Sequence, residues 1–193
     1  MEIVIHRVNT IEHLLRVPKE FGAEIDIRAN GSELILNHEP FLPGLKLEDF
    51  LTEYQHGLLV LNIKEAGIES AVLESVLKFS IQRHFLLDVE FPYIYRASRQ
   101  GIKNIAMRYS EDEPIENSLK YRGKLDWVWI DTNTQLPLSN QICQSLSNFK
   151  TCLVCPERWG RPNDIPVYRR KLSELAFEPT AVMTSLAQAK QWK

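Results

Sequence analysis

His6, Arg7, Glu24, Asp26, His38 and Lys64 are the residues of this 193-residue chain whose types and order could do chemistry together. Two imidazoles can exchange a proton as base and acid near neutral pH. An arginine and a lysine can neutralise an anion, and paired carboxylates can hold a cation. Taken singly, each residue has a plainer explanation: an isolated histidine is more often a hydrogen-bonded structural residue, and Glu24 and Asp26 could sit on a solvated face. Their shared position at the ends of apolar runs points to a site, because inward-facing charges without a task would be costly.

Eight short apolar runs must position these residues: Ile3 to His6, Ala23 to Ile27, Leu58 to Ile63, Phe85 to Glu90, Asn104 to Arg108, Trp127 to Asp131, Thr151 to Cys155, and Thr180 to Thr184. Helical patterning follows each run, which is the alternation of parallel βα units. Eight units close a barrel, so the expected fold class is α/β, a compact (β/α)8 TIM barrel forming a single domain over residues 1–193. In such a barrel the site lies at the C-terminal strand ends. Strand alternation places Glu24 with Asp26, and Asn62 with Lys64, on common faces. Asn30-Gly31 marks a tight turn, from which Glu33 to Asn37 returns as a hairpin arm carrying His38 over the barrel mouth.

Helices are expected at Glu69 to Arg83, where Val72, Val76 and Phe79 recur at helical spacing, and at Leu47 to Tyr54, Ser139 to Phe149, Ile165 to Leu175 and Leu186 to Trp192. Barrels of this kind typically have about 250 residues, so every loop here must be short. An open doubly wound sheet is the alternative, but no glycine-rich phosphate turn follows the first run.

With 44% hydrophobic and 25% charged residues the chain can bury one core. A formal charge of -2 and a pI near 6.2 leave no basic field for nucleic acid or an anionic membrane, so the expected partner is a small molecule. The start Met1-Glu2-Ile3-Val4-Ile5 lacks a signal-peptide pattern and no apolar run approaches membrane-spanning length, which sets the expectation of a cytoplasmic protein without membrane insertion. Cys152 and Cys155 are spaced like a metal or redox pair, yet they lie in a strand-like run where residues three apart face opposite ways. They read as buried strand cysteines.

Later strand ends add Asp88, Glu90, Arg108, Asp131 and the pair Glu157-Arg158, most of them readable as solvated rim. Arg108 and Asp131 are taken as substrate contacts. Trp127 and Trp129 share one strand face; one role for them is an aromatic wall for a sugar or polyol, and the simpler one is packing against the outer helices.

The ordered set His6-Arg7-Val8, Gly22-Ala23-Glu24-Ile25-Asp26, Asn30-Gly31, Asn37-His38-Glu39 and Asn62-Ile63-Lys64 resembles the glycerophosphodiester phosphodiesterases, with the closing Ala181 to Ser185 similar to that family's last strand. The resemblance implies a phosphodiesterase acting on a glycerophosphodiester-like substrate, with attack by a neighbouring substrate hydroxyl and a cyclic phosphate on the way. It implies His6 and His38 as general acid and base, Arg7 and Lys64 as phosphate ligands, and Glu24, Asp26 and Asn62 as ligands of a divalent metal, Mg2+ or Ca2+. Asn62 stands where the family has Glu, Val8 where it has Gly and Glu39 where it has Asp, and the segment after His38 runs almost directly into the next helix, without the family's insertion. Two other functions use the same residues: a non-catalytic phosphate-ester-binding barrel, and a lyase forming a Schiff base on Lys64.

Overall fold

The computed structural model describes residues 1–193. Strands and helices alternate: β1 (Glu2–Ile5), α1 (Ile11–Arg16), β2 (Gly22–Asn30), β3 (Glu33–Leu36), β4 (Leu45–Lys46), α2 (Leu47–Glu53), β5 (Leu59–Ile63), α3 (Glu69–Lys78), β6 (His84–Leu87), α4 (Phe91–Arg99), β7 (Ala106–Tyr109), α5 (Ile115–Leu119), β8 (Trp127–Ile130), α6 (Asn140–Leu146), β9 (Lys150–Val154), α7 (Ile165–Glu174) and β10 (Ala181–Thr184). Short 3-10 turns occupy Pro156–Trp159 and Pro162–Asp164 after β9, and Ala189–Trp192 after β10.

The α/β class is as expected, and the strand pairing is parallel apart from one extension. From β1, one arm runs through β2 and β5 to β6, and the other through β10, β9 and β8 to β7. A single parallel bridge, Leu86 with Ile105, joins the two arms. The β1–β10 join is a ladder of four residue pairs, whereas the β6–β7 join is that one bridge. β3 and β4 form an antiparallel extension of β2.

Strands buried on both faces read as near-continuous apolar runs, as in Leu59-Val60-Leu61-Asn62-Ile63 and Trp127-Val128-Trp129-Ile130. Their alternate residues enter two separate cores. Ile5, Ile25, Leu61, Val128 and Leu153 join the 43-residue cluster between strands and helices. Val4, Val60, Phe85, Leu87, Trp127, Trp129, Cys152, Val154 and Met183 belong to a second cluster of 12 on the other side of the strands. Gly22 is required where β2 passes β5, since a Cβ there would lie 2.1 Å from the Leu58 carbonyl oxygen.

The tryptophans are a correction: Trp127 and Trp129 do not pack against the helices but fill the inner cluster, where Trp127 stacks on Phe85 with ring centroids 4.4 Å apart. Cys152 and Cys155 are both buried and free, on opposite sides of the strand. α3 stops at Lys78, short of Arg83, because Ser80 turns into left-handed backbone (φ 57°). β6 likewise ends at Leu87, before Asp88 (φ 58°). Of the expected final helix only the Ala189–Trp192 turn forms. Three helices, α1, α4 and α5, follow runs for which helical patterning was expected without bounds. α1 and α5 are only six and five residues long, and α4 buries just Ile94, Ala97 and Ser98.

Candidate functional site

Inner-face parity continues past the apolar cluster to the C-terminal strand ends. There Val4 is followed by His6, Val60 by Asn62 and Lys64, Ala106 by Arg108, and Trp129 by Asp131. Glu24 and Asp26 of β2 join them, and the hairpin delivers His38. All eight line one cleft of 460 Å³, together with Asp88, Arg158, Trp129 and Trp159. Other surface recesses are larger, but none collects histidines with paired carboxylates.

Backbone geometry explains the placements. Gly31 (φ 64°) makes the β2–β3 turn, the Asn37 amide donates to the Asp26 carbonyl at 3.0 Å, and the Arg28 guanidinium donates to the His38 carbonyl at 3.0 Å. His38 is thereby tied to the end of β2. Arg7 also has left-handed backbone (φ 54°), which aims its amide at Glu24 Oε2, 2.7 Å away. Such a conformation is strained for a residue with a Cβ and persists only where surrounding contacts fix it.

Glu24 and Asp26 are almost fully buried. Glu24 Oε1 accepts a hydrogen bond from Asn62 Nδ2 at 2.8 Å, and His6 Nε2 stands 3.7 Å from Glu24 Oε2. Burial, and then the charge of Asp26, push the Glu24 carboxyl upward. Asp26 is gripped by Asn9, which donates to its Oδ2 at 2.8 Å and accepts from its backbone amide at 2.8 Å. Lys64 Nζ lies 3.1 Å from Asp26 Oδ1, an ion pair off the hydrogen-bonding direction, and 3.7 Å from Asp88 Oδ2.

The histidines differ. Burial, followed by the charges of Arg158 and Arg7, lowers the His6 pKa to about 3, so His6 is a neutral imidazole at physiological pH. The expectation of two histidines titrating near neutrality therefore fails for His6. His38 accepts from the Arg7 guanidinium at Nε2 (2.6 Å), an arrangement that places its proton on Nδ1, donated to Glu39 at 2.7 Å. Arg7 thus meets His38 and does not itself line the cleft.

On the far wall Arg108 bridges Asp88, at 2.7 Å, and Asp131. Burial pushes the Asp131 carboxyl up to about 6 against the pull of Arg108. Sequence reasoning had singled out Arg108 and Asp131 and left Asp88 and Arg158 as rim. Asn9 escaped it, and Trp129 was expected to pack outward, because nothing in their local sequence reports what lies across the cleft.

No family model matches the chain, and none of the curated proteins does. Solved structures do. Over 95% of this chain and 96% of the other, it superposes with a TM-score of 0.67 and 11% identity on a glycerophosphodiester phosphodiesterase from Agrobacterium tumefaciens. The chain shares the fold of that protein. A candidate glycerophosphoryl diester phosphodiesterase from the same bacterium matches at TM-score 0.69 and 9% identity, covering 100% of this chain and 96% of that one. A glycerophosphoryl diester phosphodiesterase from Parabacteroides distasonis matches at 0.64 and 10%, covering 98% and 85% respectively. The resemblance drawn from the early motifs therefore holds at the level of the whole fold.

The divalent metal implied by that resemblance would be held by Glu24, Asp26 and Asn62, which do stand together. Their donors are committed, however. Both Glu24 oxygens accept hydrogen bonds, one Asp26 oxygen accepts from Asn9, and the other faces the Lys64 ammonium. Asn62 turns its nitrogen toward Glu24, leaving only its buried Oδ1 free. No three His, Cys, Asp or Glu side chains form a group that could hold a metal ion. This arrangement does not fit a dication without displacing Lys64 and the Asn62 amide. No helix is long and apolar enough to cross a membrane.

Proposed function

We propose that the chain is a phosphodiester hydrolase acting on a glycerophosphodiester-like small molecule, built as a compact (β/α)8 barrel in a single domain over residues 1–193. One observation carries this reading: His6 and His38, from distant parts of the chain, face one cleft with Lys64 between Asp26 and Asp88. The neutral His6 imidazole accepts the proton of the attacking oxygen, and the charge of Asp26 favours the imidazolium that results. With the Arg7 guanidinium turned away from Nε2, a proton carried on that nitrogen of His38 passes to the leaving oxygen while Glu39 holds the Nδ1–H. Lys64, with Arg7 behind His38, offsets negative charge developing on the phosphoryl group. Both proton transfers and the charge compensation are thereby assigned to the chain's own side chains.

The contact of Arg7 with His38 Nε2 favours a second reading, phosphate-ester binding without turnover, since it occupies the atom that would exchange the proton. Hydrolysis of a panel of phosphodiesters, from glycerophosphodiesters to sugar-linked and lysophospholipid substrates, with Mg2+, Ca2+, Mn2+ or EDTA, separates the two. Release that disappears in His6→Ala supports the enzyme. Absence of release from every substrate, with phosphate-ester binding intact, supports the binder.

A further inference from the structure

Of the four cations that line the cleft or reach a histidine ring, three are engaged within the protein. Arg7 is held by His38, Lys64 by Asp26 and Asp88, and Arg108 by Asp88 and Asp131. The fourth, Arg158, is exposed, lines the cleft, and its side chain makes neither an ion pair nor a hydrogen bond. Its guanidinium carbon lies 5.8 Å from the centre of the Trp159 ring, beside it on the cleft wall.

The turn that carries Arg158 is firmly set. Glu157 Oε1 accepts from Thr184 Oγ1 and from the Ser185 amide, both at 2.7 Å, tying the turn to the end of β10. Arg161 reaches from the turn's end to the Thr132 carbonyl after β8, and Gly160 closes the turn in left-handed backbone (φ 74°). An uncommitted guanidinium on a fixed platform is preorganised for a ligand.

We propose that Arg158 is the cation that receives the phosphoryl oxygens of an anionic phosphate ester in this cleft, and that it does so without a divalent metal. The proposal rests on the reading of the cleft as a phosphodiester site. A guanidinium presents paired donors in a planar fork matching phosphate oxygens. Turning Lys64 or Arg108 to the ligand would instead strip a cation from the buried carboxylates of Asp26 or Asp131, and a buried charge left unpaired is expensive. Arg158 leaves no partner behind. The absence of an open three-ligand cation site points the same way, since the anion's charge must then be met by a side chain.

The test is calorimetric binding of inorganic phosphate, in EDTA and in Mg2+, to the wild type, Arg158→Gln, Arg158→Lys and the exposed control Arg170→Gln, with folding checked by circular dichroism. Expected are binding in EDTA undiminished relative to Mg2+, a loss of about 10- to 100-fold in Arg158→Gln, an intermediate loss in Arg158→Lys, and none in Arg170→Gln. Binding that survives in Arg158→Gln, that needs Mg2+, or that is missing in the wild type overturns the proposal. Hydrolysis measured on the same preparations keeps the two readings apart. Turnover with phosphate binding indifferent to Arg158 removes this role and leaves the enzyme, whereas Arg158-dependent binding without turnover sustains the role and removes the enzyme.

Discussion

The two walls of the cleft are both rich in charge but use it differently. The wall from β1, β2 and β5 holds a neutral histidine against a buried carboxyl pushed upward, with Lys64 the one cation set among its carboxylates. The wall from β6, β7 and β8 holds a chain, Asp88 to Arg108 to Asp131, in which the arginine satisfies a carboxylate on each side, with Lys64 of the first wall 3.7 Å from Asp88. The first wall leaves groups poised to exchange protons. The second ties its charges to one another, as a brace does.

If that contrast is right, substitutions on the first wall should change rate and those on the second should change stability. The largest effect is expected from His6→Gln, a fall in turnover of about 10²–10⁴-fold with little change in the urea midpoint; an equal loss of stability would erase the contrast. Arg108→Met should leave Asp131 without a cation and Asp88 with Lys64 alone, 3.7 Å away. Arg108 is 37% exposed, so solvent moderates the expected destabilisation to about 1–3 kcal/mol by denaturant titration.

The Asp131 carboxyl sharpens the comparison through pH. Its folded pKa of about 6 lies above the ordinary 3.8, so the folded protein keeps that proton where the unfolded chain releases it. The stabilisation is complete below pH 3.8 and is lost as pH rises through 6, and the urea midpoint of Asp131→Asn should lack that component of the slope. Retention of the slope in the mutant would assign it elsewhere. Smallest, Gly160→Ala meets no atom within 4 Å but forces a side chain onto φ 74°, which should cost about 1 kcal/mol and loosen the Arg158 turn.

Much of the first wall was legible in the sequence, because its residues follow one another along strands whose period of two shows which face they share. Glu24 with Asp26, and Asn62 with Lys64, needed only that alternation, and the Asn30-Gly31 turn announced the hairpin that delivers His38. The second wall is assembled from residues about 20 positions apart, as in Asp88 to Arg108. No local pattern shows that they meet. The same holds for Asn9 on Asp26, and for Trp127 and Trp129, whose shared face was legible while its direction was not. All eight strands were foreseeable from apolar runs, but short helices such as α5, with two buried residues, carry too little periodicity to be read.

Asp88 and Arg108 also stand on either side of the place where β6 and β7 meet through a single bridge. Mechanically the molecule resembles a bracelet with a clasp: the backbone ladder is continuous elsewhere, and here a side-chain ion pair spans the gap. The amide proton of Leu86, which donates across this clasp to the Asn104 carbonyl, should therefore exchange with solvent through a local parting of the two strands, sooner than those of the β1–β10 ladder, where four residue pairs must separate together.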